Sequence, residues 1–305
     1  MNDLAVTIHG VNKAYGKVHA VRDLDLQVPR GTLVGFLGPN GAGKSTTIRM
    51  IMSIIYPDSG SIQVLDSTAL EAKDRIGYLP EERGLYRKMK INQFLTYIAK
   101  LKEVDRSDIN RRINWWLERL ELPDVLNRRC EALSKGQQQK LQFIASVVHD
   151  PELIILDEPF SGLDPVNASL LSDIIQELRE QGRTIIFSTH VLHQAERLCD
   201  RVFLINQGVK LLDDPIEEIR DRYNPRVIAM ELLEPAEGEI MRVDGVREVK
   251  SSGEGTKFDL HLNHDADAHT IMNAITTRHR LRAIEIRKPT LDDIFVELVQ
   301  GASDS

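Results

Sequence analysis

The chain has 305 residues, of which 42% are hydrophobic and 28% are charged, a composition that fits a globular protein and excludes disordered and fibrous classes. Its formal net charge of −7 gives no support to nucleic acid as a partner, because binding to the phosphate backbone depends on clustered positive charge. No apolar stretch approaches the roughly 20 residues that cross a bilayer and the first ten residues lack the regions of a signal peptide, so a cytoplasmic location is expected.

The N-terminal segment predicts antiparallel strands. Apolar and polar side chains alternate at Val6 and Ile8 and again from Val18 to Val28, a pattern typical of strands with one buried face. The apolar run 32–37 predicts a further strand that ends in a glycine-rich turn. Residues 45–55 then have the spacing of a helix. The chain therefore opens with a β meander followed by strand, loop and helix.

Strands and helices alternate in the central part of the sequence. The predicted strands are 61–65, 76–79, 153–156, 184–188 and 202–206, and the predicted helices are 165–181 and 191–198. Such alternation implies a largely parallel sheet with both faces covered. Between about residues 88 and 130 the pattern is almost wholly helical, which predicts a helical subdomain inserted into the α/β core.

The C-terminal part differs in composition and predicts a second domain. A short charged helix over 216–223 leads to Asn224-Pro225, and we place the domain boundary between residues 223 and 224. The remainder, 224–305, predicts a small α+β domain. Its expected strands are 227–233, 246–251, 258–262 and 281–286, and its expected helices are 269–277 and 291–299.

Residues 38–46 match the phosphate-loop pattern and lie where its mechanism requires, between an apolar strand and a helix. Glycines let successive backbone N–H groups turn toward phosphate oxygens, and the helix N-terminus adds a favourable dipole. The candidate ATP-binding residues are Gly38, Pro39, Asn40, Gly41, Ala42, Gly43, Lys44, Ser45 and Thr46. We expect Lys44 to reach the β- and γ-phosphates, which gives it a catalytic role, and Ser45 to hold Mg²⁺.

Residues 153–158, Leu-Ile-Ile-Leu-Asp-Glu, form an apolar strand that ends in two acids. This arrangement places one carboxylate near the magnesium and the next toward the attacking water. Asp157 is therefore the predicted metal ligand and Glu158 the predicted general base. Alone, such a strand end is more typical of a solvated loop, so the phosphate loop upstream carries much of this interpretation.

Further downstream, residues 133–139, Leu-Ser-Lys-Gly-Gln-Gln-Gln, resemble the signature motif that defines ABC ATPases. The turn from Ser161 to Asp164 resembles the D-loop of that family, and Ser188-Thr189-His190 at a strand end resembles its switch histidine. Tyr15 falls where the family stacks an aromatic ring on adenine. The resemblance runs continuously from about residue 4 to residue 215.

The resemblance implies a P-loop NTPase fold of the α/β class: an ABC cassette with an antiparallel β subdomain and an inserted helical subdomain, here followed by the small C-terminal domain. In that family, the signature serine of one subunit contacts the γ-phosphate held by the phosphate loop of the other. The resemblance thus implies a second nucleotide-binding subunit, expected to be another copy of this chain. It also implies a separate membrane permease that holds the chain at the inner face of the membrane. The residues that it assigns to ATP binding are Ser134, Gly136, Gln137 and Asp164, and it gives His190 a catalytic role.

Two positions depart from the commonest pattern of the family. Lys135 stands where glycine is usual, and Glu81 stands where many members have a glutamine that senses the magnesium and the membrane subunit. Both variants resemble those of the drug-, sodium- and polysaccharide-exporting branch, which also tends to carry the sequence found here at Gly84-Leu85-Tyr86. We therefore expect an exporter. Glu81 remains a candidate metal ligand because a carboxylate can also bind magnesium.

Two other function classes fit the sequence less well. A soluble ABC protein acting on ribosomes or DNA would usually carry two cassettes with a basic linker, or a very long coiled coil ahead of the signature. A metabolic kinase with a phosphate loop would leave the signature, Asp164 and His190 unexplained. The sequence therefore predicts the ATPase subunit of an exporter, with ATP and Mg²⁺ as its cofactors.

Overall fold

The computed structural model describes residues 3–82, 84–222, 227–235, 243–252, 255–263, 265–287 and 290–301. The chain forms two compact units, residues 1–215 and 216–305. This division differs from the predicted boundary, because the short helix over 216–222 groups with the second unit. The predicted turn at Asn224-Pro225 lies outside the described residues.

The first unit contains nine described strands and six described α-helices. The strands are β1 (Leu4–Tyr15), β2 (Val18–Pro29), β3 (Leu33–Leu37), β4 (Ser59–Val64), β5 (Ile76–Leu79), β6 (Leu153–Asp157), β7 (Thr184–Thr189), β8 (Arg201–Asn206) and β9 (Val209–Pro215). The helices are α1 (Lys44–Ile51), α2 (Ile91–Leu101), α3 (Arg106–Arg119), α4 (Lys135–Val147), α5 (Pro165–Glu180) and α6 (Leu192–Leu198).

Strands β1, β2 and β4 form an antiparallel sheet in the order β2-β1-β4. The alternation seen in the sequence buries one face of this sheet, where Val6, Ile8 and Leu24 are fully buried. Burial of these aliphatic side chains stabilises the sheet by about 1.5–3 kcal/mol each. The predicted antiparallel β subdomain is confirmed.

The main sheet has six strands in the order β5-β6-β7-β3-β8-β9. The first five are parallel, and β9 pairs with β8 in the antiparallel direction. Every residue of β3, β6 and β7 is buried, which explains why these strands are continuous apolar runs. In register, Leu37 lies beside Thr189 and Asp157 beside Ser188, so the carboxyl ends of these strands share one edge of the sheet.

The inserted helical segment contains α2 and α3, which pack on each other and on α4. Phe94, Ile113 and Trp116 are among its buried side chains. The Trp116 ring lies edge-on to Phe143 of α4, with 6.0 Å between the ring centroids. This contact packs the insertion against the helix that carries most of the signature motif.

Helix α1 is shorter than the sequence pattern predicts, since it ends at Ile51 rather than near residue 55. Ser53 adopts a left-handed conformation with a φ of 54°. Its N–H donates to the Met50 carbonyl at 3.0 Å, and the Ile54 N–H donates to the Arg49 carbonyl at 2.9 Å. These two bonds form a Schellman motif, which terminates a helix whatever its apolar spacing.

The second unit is a small α+β domain. It comprises α7 (Ile216–Arg222), β10 (Val227–Leu232), β11 (Val246–Ser252), β12 (Lys257–Leu262), α8 (Ala268–Arg278), β13 (Leu281–Arg287) and α9 (Leu291–Gly301). The strands form an antiparallel sheet in the order β11-β12-β10-β13. Ile228 and Leu260 of the sheet share a core with Ile271 and Ile275 of α8. None of the helices described here is both long and apolar enough to span a membrane.

Candidate functional site

A cleft of about 340 Å³ lies where the carboxyl ends of β3, β5 and β6 meet the phosphate loop. Its lining residues are Ala20, Asn40, Gly41, Gly43, Lys44, Ser45, Thr46, Glu81, Asp157 and Glu158. The fold therefore brings together the phosphate loop, the acids Asp157 and Glu158 at the end of β6, and Glu81, which are widely separated in the sequence. A larger cavity of about 540 Å³ between α5 and α6 is lined by none of these residues.

The phosphate loop packs too closely on its surroundings to accept side chains at two of its glycines. A Cβ atom at Gly38 would lie 2.2 Å from the Ile205 carbonyl oxygen, and one at Gly43 would lie 2.4 Å from the Ala20 carbonyl oxygen. Gly43 also has a φ of 111°, in a region that glycine adopts at low cost. Glycine at these positions is therefore needed for the loop to take this shape.

Lys44 begins α1, and its side chain is buried in the cleft with 7% of its surface exposed. Its Nζ donates hydrogen bonds to the Gly38 carbonyl at 2.7 Å and the Pro39 carbonyl at 3.2 Å. Burial lowers the pKa of Lys44, and the carboxylates of Glu158 and Asp157 oppose that shift. The ammonium thus bonds the carbonyls of the loop and feels the charges of Asp157 and Glu158.

Asp157 is the last residue of β6 and has 3% of its surface exposed. Burial raises the pKa of Asp157, and a hydrogen bond from the Ser188 hydroxyl to its Oδ1, 2.7 Å long, acts in the opposite direction. In the sequence, Ser188 stands out only as part of the switch motif. A hydroxyl inside the apolar run of β7, opposite Asp157 in register, was the signal that could have identified this contact.

Glu158 has a φ of 50°, a left-handed conformation uncommon for residues other than glycine. Its N–H donates to the Ser188 carbonyl at 3.0 Å. Its Oε1 lies 2.6 Å from Nδ1 of His190 and accepts the His190 backbone N–H at 3.0 Å. The Thr189 hydroxyl donates to the other oxygen at 3.3 Å. The predicted base and the predicted switch histidine are therefore in direct contact.

The residues proposed for magnesium are all oxygen donors, the ligand type that this ion requires. Ser45, Asp157 and Glu81 line the same cleft. Within the described ranges, the chain contains no cluster of three or more His, Cys, Asp or Glu side chains arranged to hold a metal ion. A phosphate-loop site does not need one, because magnesium keeps several water ligands and takes substrate phosphates for the rest. The donor set fits Mg²⁺ bound together with a nucleotide.

The remaining predicted site residues do not line this cleft. Tyr15 ends β1 with 51% of its surface exposed, and the Lys13 ammonium lies 5.7 Å from its ring centroid. Ser134 caps α4: its Oγ accepts the Gln137 N–H at 3.2 Å, and the Gln137 side chain accepts the Ser134 N–H at 3.1 Å. Asp164 caps α5, and its Oδ1 accepts the Asn167 N–H at 2.9 Å. Ser134 and Asp164 thus begin two helices outside the cleft.

Two family models match the sequence. The model described as "ABC transporter" matches residues 21–161, and the model described as "ATP-binding protein DrrA1-3-like, C-terminal domain" matches residues 215–299. The uncharacterized ABC transporter ATP-binding protein YhaQ of Bacillus subtilis is 38% identical over 295 residues, which cover 96% of this chain and 98% of that protein. The Nod factor export ATP-binding protein I of Bradyrhizobium diazoefficiens is 31% identical over 307 residues, covering 98% and 97%.

Solved structures give the same result. The ATP-binding subunit of an ABC transporter aligns with a TM-score of 0.68 and 29% identity over 72% of this chain and 93% of that one. CbiO1 of Clostridium perfringens, part of the ABC transporter complex cbiONQ, aligns with a TM-score of 0.64 and 26% identity over 72% and 91%. The predicted fold is confirmed, and the chain belongs to the ATP-binding proteins of ABC transporters, subunits that hydrolyse ATP to power transport through a membrane permease.

Proposed function

We propose that this chain drives an exporter, and that two copies of it share two ATP sites beneath a permease at the cytoplasmic face of the membrane. The export assignment is supported by the Nod factor export relative and by the variants Lys135 and Glu81. A nucleic-acid partner plays no part in this function. The proposal of a dimer is supported by one observation. The residues expected around a single nucleotide lie on two separate surfaces of each chain, the cleft that contains Lys44 and the N-terminus of α4.

The chemistry assigned to the cleft follows from its charges. Lys44 binds the γ-phosphate and stabilises the negative charge that develops there. Glu158 accepts a proton from the attacking water, and His190 holds the Glu158 carboxylate in place through the 2.6 Å contact. Ser45 and Asp157 hold Mg²⁺, with Glu81 as a third oxygen donor. When bound, this ion neutralises charge on the phosphate oxygens.

The signature residues are suited to bind a phosphate, but from another direction. The N-terminus of α4 carries a partial positive charge, and the Ser134 hydroxyl and the backbone of Gly136 lie at that end. These residues do not line the cleft of their own chain. A γ-phosphate bound at Lys44 of a second copy would complete the site. Tyr15 of that second copy would stack on the adenine.

The shared site predicts dimer formation that depends on nucleotide. The Glu158→Gln variant should change from monomer to dimer on addition of MgATP, because hydrolysis no longer reopens the complex. The mass in solution, measured by multi-angle light scattering with and without MgATP, tests this. The same variant carrying Ser134→Glu is the control: a carboxylate facing the γ-phosphate should keep it monomeric. A Glu158→Gln protein whose mass does not respond to MgATP would contradict the shared site.

The permease is expected to contact an aromatic cluster formed by Tyr86, Phe94 and Tyr97. The Tyr86 ring centroid lies 6.1 Å from that of Phe94 and 5.8 Å from that of Tyr97. Tyr86 and Tyr97 nevertheless keep 52% and 41% of their surface exposed. Glu81 in the cleft lies five positions before Tyr86. This cluster could therefore receive a short helix of the permease close to the nucleotide.

Replacing Tyr86 by alanine should weaken co-purification with the permease and transport, while the ATPase rate of the isolated chain stays within about twofold of wild type. Tyr56→Ala is a matched control, since Tyr56 is 66% exposed and outside the cluster. Loss of basal ATPase in Tyr86→Ala would instead give Tyr86 a structural role in the helical segment. Unchanged transport and complex formation would place the docking surface elsewhere.

A further inference from the structure

One polar side chain of α4 contacts the turn that follows β6 in the same chain. Gln139 is buried, with 3% of its surface exposed, and its Nε2 donates a hydrogen bond of 3.0 Å to the Pro159 carbonyl. Burying an amide is unfavourable unless it is hydrogen-bonded, so this contact determines where the side chain lies. Pro159 directly follows Glu158.

The orientation of the Pro159 carbonyl determines the type of turn that follows Glu158. The Ser161 N–H donates to the Glu158 carbonyl at 3.1 Å, which closes a four-residue turn from Glu158 to Ser161. The carbonyl of Pro159 belongs to the central peptide of that turn. Because the common turn types differ by a flip of this central peptide, a donor to its oxygen selects one of them. Gln139 is that donor.

Glu158 is thus held by its backbone on both sides. Its own N–H is bonded to the Ser188 carbonyl of β7, and the carbonyl of Pro159, the next residue, is bonded to Gln139 of α4. The left-handed conformation of Glu158, with a φ of 50°, needs such support because it costs of the order of 1 kcal/mol for a side chain of this kind. The direction of the Cα–Cβ bond, and hence of the carboxylate, depends on these two contacts.

We propose that Gln139 is a positioning residue for ATP hydrolysis: it fixes the central peptide of the turn that Glu158 begins and thereby directs the Glu158 carboxylate toward the attacking water. The proposal rests on Glu158 acting as the general base. Gln139 touches neither the nucleotide nor the water in this assignment. Its effect is therefore on turnover and not on ATP affinity.

The test compares two glutamines of the same helix. Gln139→Met keeps the length of the side chain and removes the donor, and it should lower kcat by about 10- to 100-fold while KM changes by less than about twofold. Gln142→Met is the matched control, since Gln142 is also buried, at 5%, and its Oε1 has no hydrogen-bond partner among the described residues. It should keep kcat within about twofold of wild type. Normal turnover in Gln139→Met would overturn the proposal.

A double variant shows whether Gln139 acts through Glu158. Adding Gln139→Met to Glu158→Gln should cause no further loss of the residual single-turnover rate, because residues that act as a unit are not additive. The same fold-loss in both backgrounds would overturn the proposal. If Gln139→Met does not fold, Gln139→Asn replaces it, since the amide is kept but is one methylene too short to reach Pro159. Wild-type hydrolysis by Glu158→Gln would overturn the proposed function, whereas an inactive Glu158→Gln beside a normal Gln139→Met overturns only the role of Gln139.

Discussion

Replacing Glu158 by glutamine should lower the rate of ATP hydrolysis by about 100- to 10,000-fold. The water loses its proton acceptor, whereas the side chain keeps its size and its ability to accept a hydrogen bond from the His190 N–H. Lys44 and Asp157 remain in place, so ATP should still bind with an affinity near that of wild type. Phosphate release at saturating MgATP measures the first effect, and a titration with a fluorescent ATP analogue measures the second.

Glu180→Gln serves as the control for this experiment, because Glu180 is an exposed acid at the end of α5 and lies outside the cleft. It removes the same charge from the chain without touching the site. A Glu158→Gln variant that hydrolyses ATP at the wild-type rate would show that Glu158 is not the base. Loss of ATP binding in Glu158→Gln would show that the Glu158 carboxylate is also needed for the structure of the site.

Replacing Lys44 by alanine should abolish ATP binding or turnover, with a loss of at least about 100-fold in kcat/KM. The nearest cation to the γ-phosphate disappears, while the carboxylates of Asp157 and Glu158 remain in the cleft and repel the nucleotide. The Gly38 and Pro39 carbonyls also lose their donor. Steady-state kinetics and equilibrium binding measure the effect, and a thermal melt separates it from unfolding.

Lys100→Ala provides the comparison for Lys44→Ala, since Lys100 is an exposed residue of α2 that does not line the cleft. Its ATPase rate should remain within about twofold of wild type. Near-normal hydrolysis in Lys44→Ala would refute the assignment of the cleft as the ATP site.

The elements that could be predicted from the sequence are those whose burial leaves a simple pattern. Strand β6 reads as an apolar run because both of its faces are covered, and its predicted bounds differ from the observed ones by one residue. The sequence pattern does not predict strand β9. Among the described strands it pairs only with β8, at the edge of the sheet, and its sequence, with Asp213 and Asp214, lacks a continuous apolar run.

The part of the site that could be predicted consists of residues whose positions at strand ends imply that they lie close together. Lys44 lies in the loop region after β3 and Asp157 ends β6, and the carboxyl ends of parallel strands share an edge of the sheet, so the sequence predicts that the two residues meet. The sequence does not predict the left-handed backbone of Glu158 or the burial of Gln139. Both depend on how α4 packs against the turn after β6. Three consecutive glutamines, 137–139, indicate exposed polar side chains when only the sequence is considered.

The strand order also determines when the phosphate loop can be completed during synthesis. Strand β3, which carries the loop, lies between β7 and β8, and neither exists until residues 184–206 have been made. At about 5–20 residues per second, the ribosome adds that intervening length in a time of the order of ten seconds. Until β7 has been made, β3 has neither of its lateral partners in the sheet. The nucleotide-binding loop is thus translated early but reaches its folded environment late, and before then the nascent chain has no complete scaffold for nucleotide.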